Sequence, residues 1–129
     1  KIAAGLGVRY TELIDPHGQD FQIIKKEDIM VQTENDGRYR SYSYYSVSPE
    51  RSFDLFVIEL EAMESYRSIG HPSGTKEYIM VDKGCLEVEI DQITYHLSAG
   101  DAFSFSGEKQ HIYHNPGDEV AKATTLIQY

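Results

Sequence analysis

Three side chains in this sequence are spaced so that they could share one cation: His71, Glu77 and His111. Two imidazoles supply neutral nitrogen and one carboxylate supplies anionic oxygen, a donor set suited to a divalent transition metal such as Zn, Ni, Fe or Mn. They lie in two segments. The first runs Gly70-His71-Pro72-Ser73-Gly74-Thr75-Lys76-Glu77 and then six residues to Gly84. The second holds Gly100-Asp101, Ser106-Gly107-Glu108-Lys109-Gln110-His111 and Asn115. Alternation puts Glu77, Ile79 and Val81 on one strand face and His111 with Tyr113 on another, while His114 turns the opposite way. A carboxylate at a strand start and imidazoles from neighbouring strands can converge inside a small barrel. Without a metal, the same trio would form a hydrogen-bonded effector site, with Glu77 accepting from an amine.

Other residues are candidates to touch a ligand. Tyr113 belongs to the interior, and Tyr42, Tyr44 and Tyr66 offer hydroxyl groups at the barrel mouth. Arg38, Arg40 and Arg67 are candidate carboxylate partners, since a guanidinium grips a carboxylate with two hydrogen bonds. Phe103 and Phe105 alternate with Ala102 and Ser104, so one of the two pairs faces inward. A pocket of aromatics with a few polar groups suits a small metabolite such as an amino acid or an amine.

The elements that must position these groups are strands. Residues 21–31, 38–48, 53–62, 76–82, 85–91, 92–97, 102–106, 110–114 and 119–128 read as short β segments separated by turns. Leu86, Val88 and Ile90 alternate with Glu87, Glu89 and Asp91, and Ile93, Tyr95 and Leu97 continue the apolar side. His96 then falls on the solvent face, with no chemical role. Regular short strands mean a sandwich or a barrel, so the fold class is all-β. The 129 residues make one domain, and 12 Ile and 10 Tyr against 7 Leu fit strands better than helices.

Charge and cysteine content narrow the function. A net charge of −9 opposes contact with a phosphate backbone. The single Cys85 excludes an internal disulfide and a thiolate zinc site, and suits a reducing, cytoplasmic compartment. No apolar run reaches transmembrane length and no leader pattern is visible, so no membrane partner is expected.

The opening residues, Lys1-Ile2-Ala3-Ala4-Gly5-Leu6-Gly7-Val8, predict two short helical pieces around Gly7, with Thr11 as a cap for the second. Ile2, Ala3, Leu6, Gly7, Val8 and Leu13 resemble, in register, the last helices of the XRE-type (Cro-like) helix-turn-helix domain. The resemblance implies the end of a domain whose recognition helix is absent. Residues 1–15 are then a helix-turn-helix remnant, 16–20 a linker and 21–129 a second domain.

That second domain resembles the cupins. In their first motif His71 takes the first histidine, Glu77 the glutamate and Gly84 the last glycine. In the second, Gly100, His111 and Asn115 take the fixed positions. Ser65, Ser73, Ser106 and Glu108 depart from the pattern, and Ser73 replaces one of four metal ligands. The resemblance implies a double-stranded β-helix (a jelly-roll barrel) preceded by a short helical remnant, with Phe103 and Phe105 turned inward. It also implies a role: the effector-sensing, homodimerising half of a transcriptional regulator, reaching DNA only through its other domain and not itself an enzyme. The alternative is a small metal-dependent cupin enzyme, a dioxygenase or isomerase, with open coordination positions at the trio.

Overall fold

A computed structural model describes residues 21–129. The helical remnant and linker placed at residues 1–20 lie outside the described residues. Ten strands follow in order: β1 Gln32–Glu34, β2 Tyr39–Tyr45, β3 Phe53–Leu60, β4 Ser65–Ser68, β5 Lys76–Lys83, β6 Cys85–Ile90, β7 Ile93–Ser98, β8 Ala102–Ser106, β9 His111–His114 and β10 Ala121–Gln128. They form a six-stranded sheet ordered β1-β2-β3-β10-β5-β8 and a four-stranded sheet ordered β4-β9-β6-β7, with every pairing between these strands antiparallel. This is the double-stranded β-helix expected from the sequence.

Period-2 patterning builds the core between the sheets. Glu77, Ile79 and Val81 of β5 are buried while their neighbours face out, and Leu86, Val88 and Ile90 of β6 do the same. Ile58 and Leu60 from β3, Ala121, Ala123 and Ile127 from β10, and Tyr39, Leu97, Phe105 and Tyr113 add to the buried apolar set. The β6–β7 hairpin closes through Asp91 and Gln92, both at positive φ (51° and 67°), as a two-residue primed turn requires.

Three expectations need correction. Residues 21–31 carry no strand; Lys26–Asp28 form a 3-10 turn, and Phe21, Ile23 and Met30 are exposed. The charged run Lys25-Lys26-Glu27-Asp28 breaks the alternation a strand needs. On β7 only Leu97 is buried; Ile93 and Tyr95 are 56% and 38% exposed, because β7 is an edge strand with a neighbour on one side. The third concerns β2. It pairs with β3 so that Tyr39 faces Leu60 and Ser41 faces Ile58, which turns the odd positions inward. Arg40 and Tyr42 therefore stand on the outer face, opposite Glu59 and Val57.

The outer face has its own chemistry. Arg40 Nε donates to Glu59 Oε1 at 2.9 Å, Tyr42 donates to the same oxygen at 3.0 Å, and Lys26 Nζ lies 4.9 Å from the Tyr42 ring centre. Burial works against the Glu59 charge, but the Arg40 and Tyr42 hydrogen bonds outweigh it and hold its pKa below the ordinary 4.5. A depressed folded-state pKa gives stability that is present above the unfolded value and is lost as pH falls through the folded one. We expect the thermal midpoint to drop more steeply below pH 4.5 in the wild type than in Glu59→Gln, read by melting across a pH series. Equal slopes would remove Glu59 from the acid response.

Candidate functional site

Glu77 is the second residue of β5, held between Phe105 of β8 and Ile127 of β10. Its side chain points from the large sheet toward His111 and Tyr113 of the small one, and Glu77 and His111 are each 1% exposed. The Tyr113 hydroxyl donates to Glu77 Oε2 and lies 3.1 Å from His111 Nε2. His111 Nε2 stands 3.4 Å from Glu77 Oε1, and His71 Nε2 stands 3.8 Å from the same oxygen. The three residues singled out by spacing are thus brought to one carboxylate oxygen.

The His111 ring is fixed by its other nitrogen. Nδ1 lies 2.9 Å from the Lys109 carbonyl, which can only accept, so Nδ1 carries the proton. In the neutral ring Nε2 then turns a lone pair toward Glu77 and Tyr113. Burial disfavours the imidazolium, but the Glu77 carboxylate, which Nε2 can pair with only once it is protonated, and the Lys109 carbonyl together raise the His111 pKa. Glu77 Oε1 is buried and has no hydrogen-bond partner among the described residues; Thr125 Oγ1, on the same inward side of β10, is the second such atom.

His71 is delivered by a loop locked against the β8–β9 turn. Its backbone N–H donates to the Gly107 carbonyl at 2.7 Å, and Gly107 N–H donates to the Thr75 carbonyl at 3.0 Å. Gly70 has φ +96°, and a Cβ there would stand 2.6 Å from the Glu108 carbonyl oxygen, so glycine alone fits. Asn115 secures the far side. It is fully buried, and its amide nitrogen donates to the carbonyls of Leu60 (2.9 Å) and Glu119 (2.7 Å). Its oxygen accepts from Gly117 N–H at 2.9 Å.

Among the candidate lining residues, Phe103, Phe105 and Tyr113 join the interior. Phe103, Phe105, His111 and Tyr113 form a row with ring centres 5.2, 4.9 and 5.0 Å apart. Tyr66 packs against the core, stacked at 3.7 Å on Tyr39. The others lie elsewhere. Arg40 and Tyr42 occupy the outer face, Tyr44 falls at the slip in register between Ser43 and Tyr45, and Arg38 pairs with Glu64 at 2.8 Å. Ser73 sits exposed in the loop before β5. Tyr39 was not among the candidates. Its pairing opposite a core leucine is the signal that finds it, once β3 is taken as the neighbour of β2.

The trio lies in neither of two clefts found on the outer sheet faces. One, of about 520 Å³, is polar and lined by Ser65, Arg67, Glu87, Glu89 and His114 among others. The other, of about 450 Å³, is lined by Leu55, Tyr78, Met80 and Leu126 among others. Among the described residues no group of three His, Cys, Asp or Glu is arranged, as it stands, to hold a metal ion. The donor chemistry nevertheless fits a cation: a bare buried carboxylate oxygen faces two imidazole nitrogens, one of them with its tautomer fixed.

The two sheets and this inward site define a cupin-type barrel. The chain belongs to the cupin family, whose Cupin_2 model, described as a cupin domain, matches residues 55–127. It is similar to the HTH-type transcriptional regulator SutR of Escherichia coli (strain K12), 27% identical over 131 residues that cover 100% of this chain and 68% of the regulator. Among solved structures, the Cupin_2 domain of an XRE family transcriptional regulator from Enterobacter cloacae superposes with a TM-score of 0.68 at 27% identity. That match covers 71% of this chain and 97% of that one. A sugar phosphate isomerase of the cupin superfamily from Silicibacter pomeroyi shares the fold, with a TM-score of 0.66 at 19% identity over 84% of this chain and 76% of that one. Regulators of the XRE and HTH type are thus relatives of this cupin domain, and a regulatory role is supported. Among the described residues no helix is long and apolar enough to cross a membrane.

Proposed function

We propose that this barrel is the sensing and dimerising domain of a DNA-binding transcriptional regulator, and that its ligand is met by Glu77, His111 and His71. The observation that carries the reading is Glu77 Oε1, a buried carboxylate oxygen without a partner among the described residues, with two imidazoles beside it. An unpaired carboxylate oxygen away from water is costly, and a bound cation offsets that cost. The net charge of −9 fits DNA contact made by another domain, and pairing of two copies suits a two-fold operator.

Closure of the interior supports sensing over turnover. Glu77 and His111 are each 1% exposed and of the trio only the His71 side chain, 26% exposed, reaches the surface, which leaves little room beside them for the substrate of a dioxygenase or isomerase. The same closure favours an ion-sized ligand, a divalent metal or a small ammonium group, over a whole metabolite. The test is thermal melting with salts of Zn, Ni, Mn and Fe(II) and, separately, with simple primary amines. We expect one of the two classes, at about 100 times its Kd, to raise the midpoint by roughly 5–10 °C, and His111→Ala to cancel the rise. If neither class shifts the wild type, the interior is not the sensing site.

A further inference from the structure

We propose that Tyr113 is itself a cation ligand, filling the coordination position that Ser73 leaves vacant. The inference rests on the reading above, in which the interior binds a cation, and it commits that cation to a divalent or trivalent transition metal. Ser73 is exposed in a loop, whereas the Tyr113 hydroxyl touches both His111 Nε2, at 3.1 Å, and Glu77 Oε2. Tyr113 is 4% exposed, so its oxygen is held inside the barrel. Its position is set by strand pairing, opposite Tyr66 on β4 and Val88 on β6, two residues along the same inward face from His111.

The candidate donors are His71 Nε2 and His111 Nε2, which stand 3.8 and 3.4 Å from Glu77 Oε1, with the Glu77 carboxylate and the Tyr113 oxygen. Two nitrogens and two oxygens form a borderline-hard set that holds Zn, Fe, Mn, Ni or Cu. In the metal-free protein the phenol proton lies between Tyr113 and Glu77. On binding, the metal takes that place, the O–H bond breaks and the proton leaves to solvent, so a phenolate and a carboxylate together balance two positive charges. The remaining carboxylate oxygen, unpartnered among the described residues, gains a ligand in the same event.

The experiment loads the whole chain with Fe(III) or Cu(II) and records both visible absorption and metal stoichiometry. A phenolate bound to either ion gives a ligand-to-metal charge-transfer band that imidazole and carboxylate alone do not. We expect the band in the wild type and its loss in Tyr113→Phe, which keeps the ring and still binds metal, roughly 10- to 100-fold more weakly. His111→Ala is expected to lose metal and band together. If the wild type binds metal without the band and Tyr113→Phe binds it equally well, Tyr113 is not a ligand, while the cation site stands. If the wild type binds no metal, the proposal fails; should amines still raise the melting midpoint, the sensing reading survives on its own.

Discussion

Asn115→Ala should lower the melting temperature by roughly 10 °C, corresponding to about 3 kcal/mol. Its amide holds the carbonyls of Leu60 and Glu119 and the N–H of Gly117, while its backbone N–H reaches the Glu64 carbonyl at 2.9 Å. Truncation leaves two carbonyls and one N–H without those partners and opens a gap in a site that is fully buried. Asn35→Ala is the control: its bonds to Glu64 and Ser65 are exposed, and its loss should cost well under about 1 kcal/mol. A shift at Asn115 no larger than at Asn35 would make the residue dispensable to the fold.

Glu77→Gln should separate stability from sensing. The carboxamide keeps an oxygen to accept from Tyr113, and its nitrogen can donate to the His111 Nε2 lone pair, now 3.4 Å from Glu77 Oε1. A neutral, fully paired group replaces a buried carboxylate with an unpaired oxygen. The ligand-free variant should therefore melt about 3–5 °C higher, roughly 1 kcal/mol, while losing the rise produced by metal or amine in the wild type. Melting curves with and without ligand read both effects. A variant that is destabilised and still responds to ligand would show that Glu77 is structural.

The site was more legible than its surroundings, and the reason lies in strand periodicity. Once β5 and β9 are strands, the facing of Glu77 and His111 follows from alternation with Ile79 and Tyr113, and the cupin spacing adds His71. β5 to β10 alternate strongly, so their bounds fall within about two residues of expectation. β2 does not. Tyr39-Arg40-Ser41-Tyr42-Ser43-Tyr44 puts bulky aromatic and polar groups on both faces, and only the β3 neighbour decides which side is buried. That choice turns Arg40 and Tyr42 away from the interior. β4, with the sequence Ser-Tyr-Arg-Ser, is a short edge strand with little apolar signal, and was not anticipated. The unpaired oxygen of Glu77 and the fixed tautomer of His111 depend on backbone carbonyls and neighbours distant in the chain, which no local pattern encodes.

The place of β10 has a kinetic consequence. Residues 121–128 run between β3 and β5 in the middle of the large sheet. During synthesis β1, β2 and β3 can pair with one another, and β5 with β8, but the two groups have nothing to join them until β10 emerges. The barrel therefore closes only after nearly all of residues 21–129 have left the ribosome, through contacts spanning 61 to 75 positions between β3 and β10, such as Leu60 with Ala121 and Phe53 with Gln128. Such long-range pairing slows folding, and until it occurs the facing edges of β3 and β5 are open to other chains.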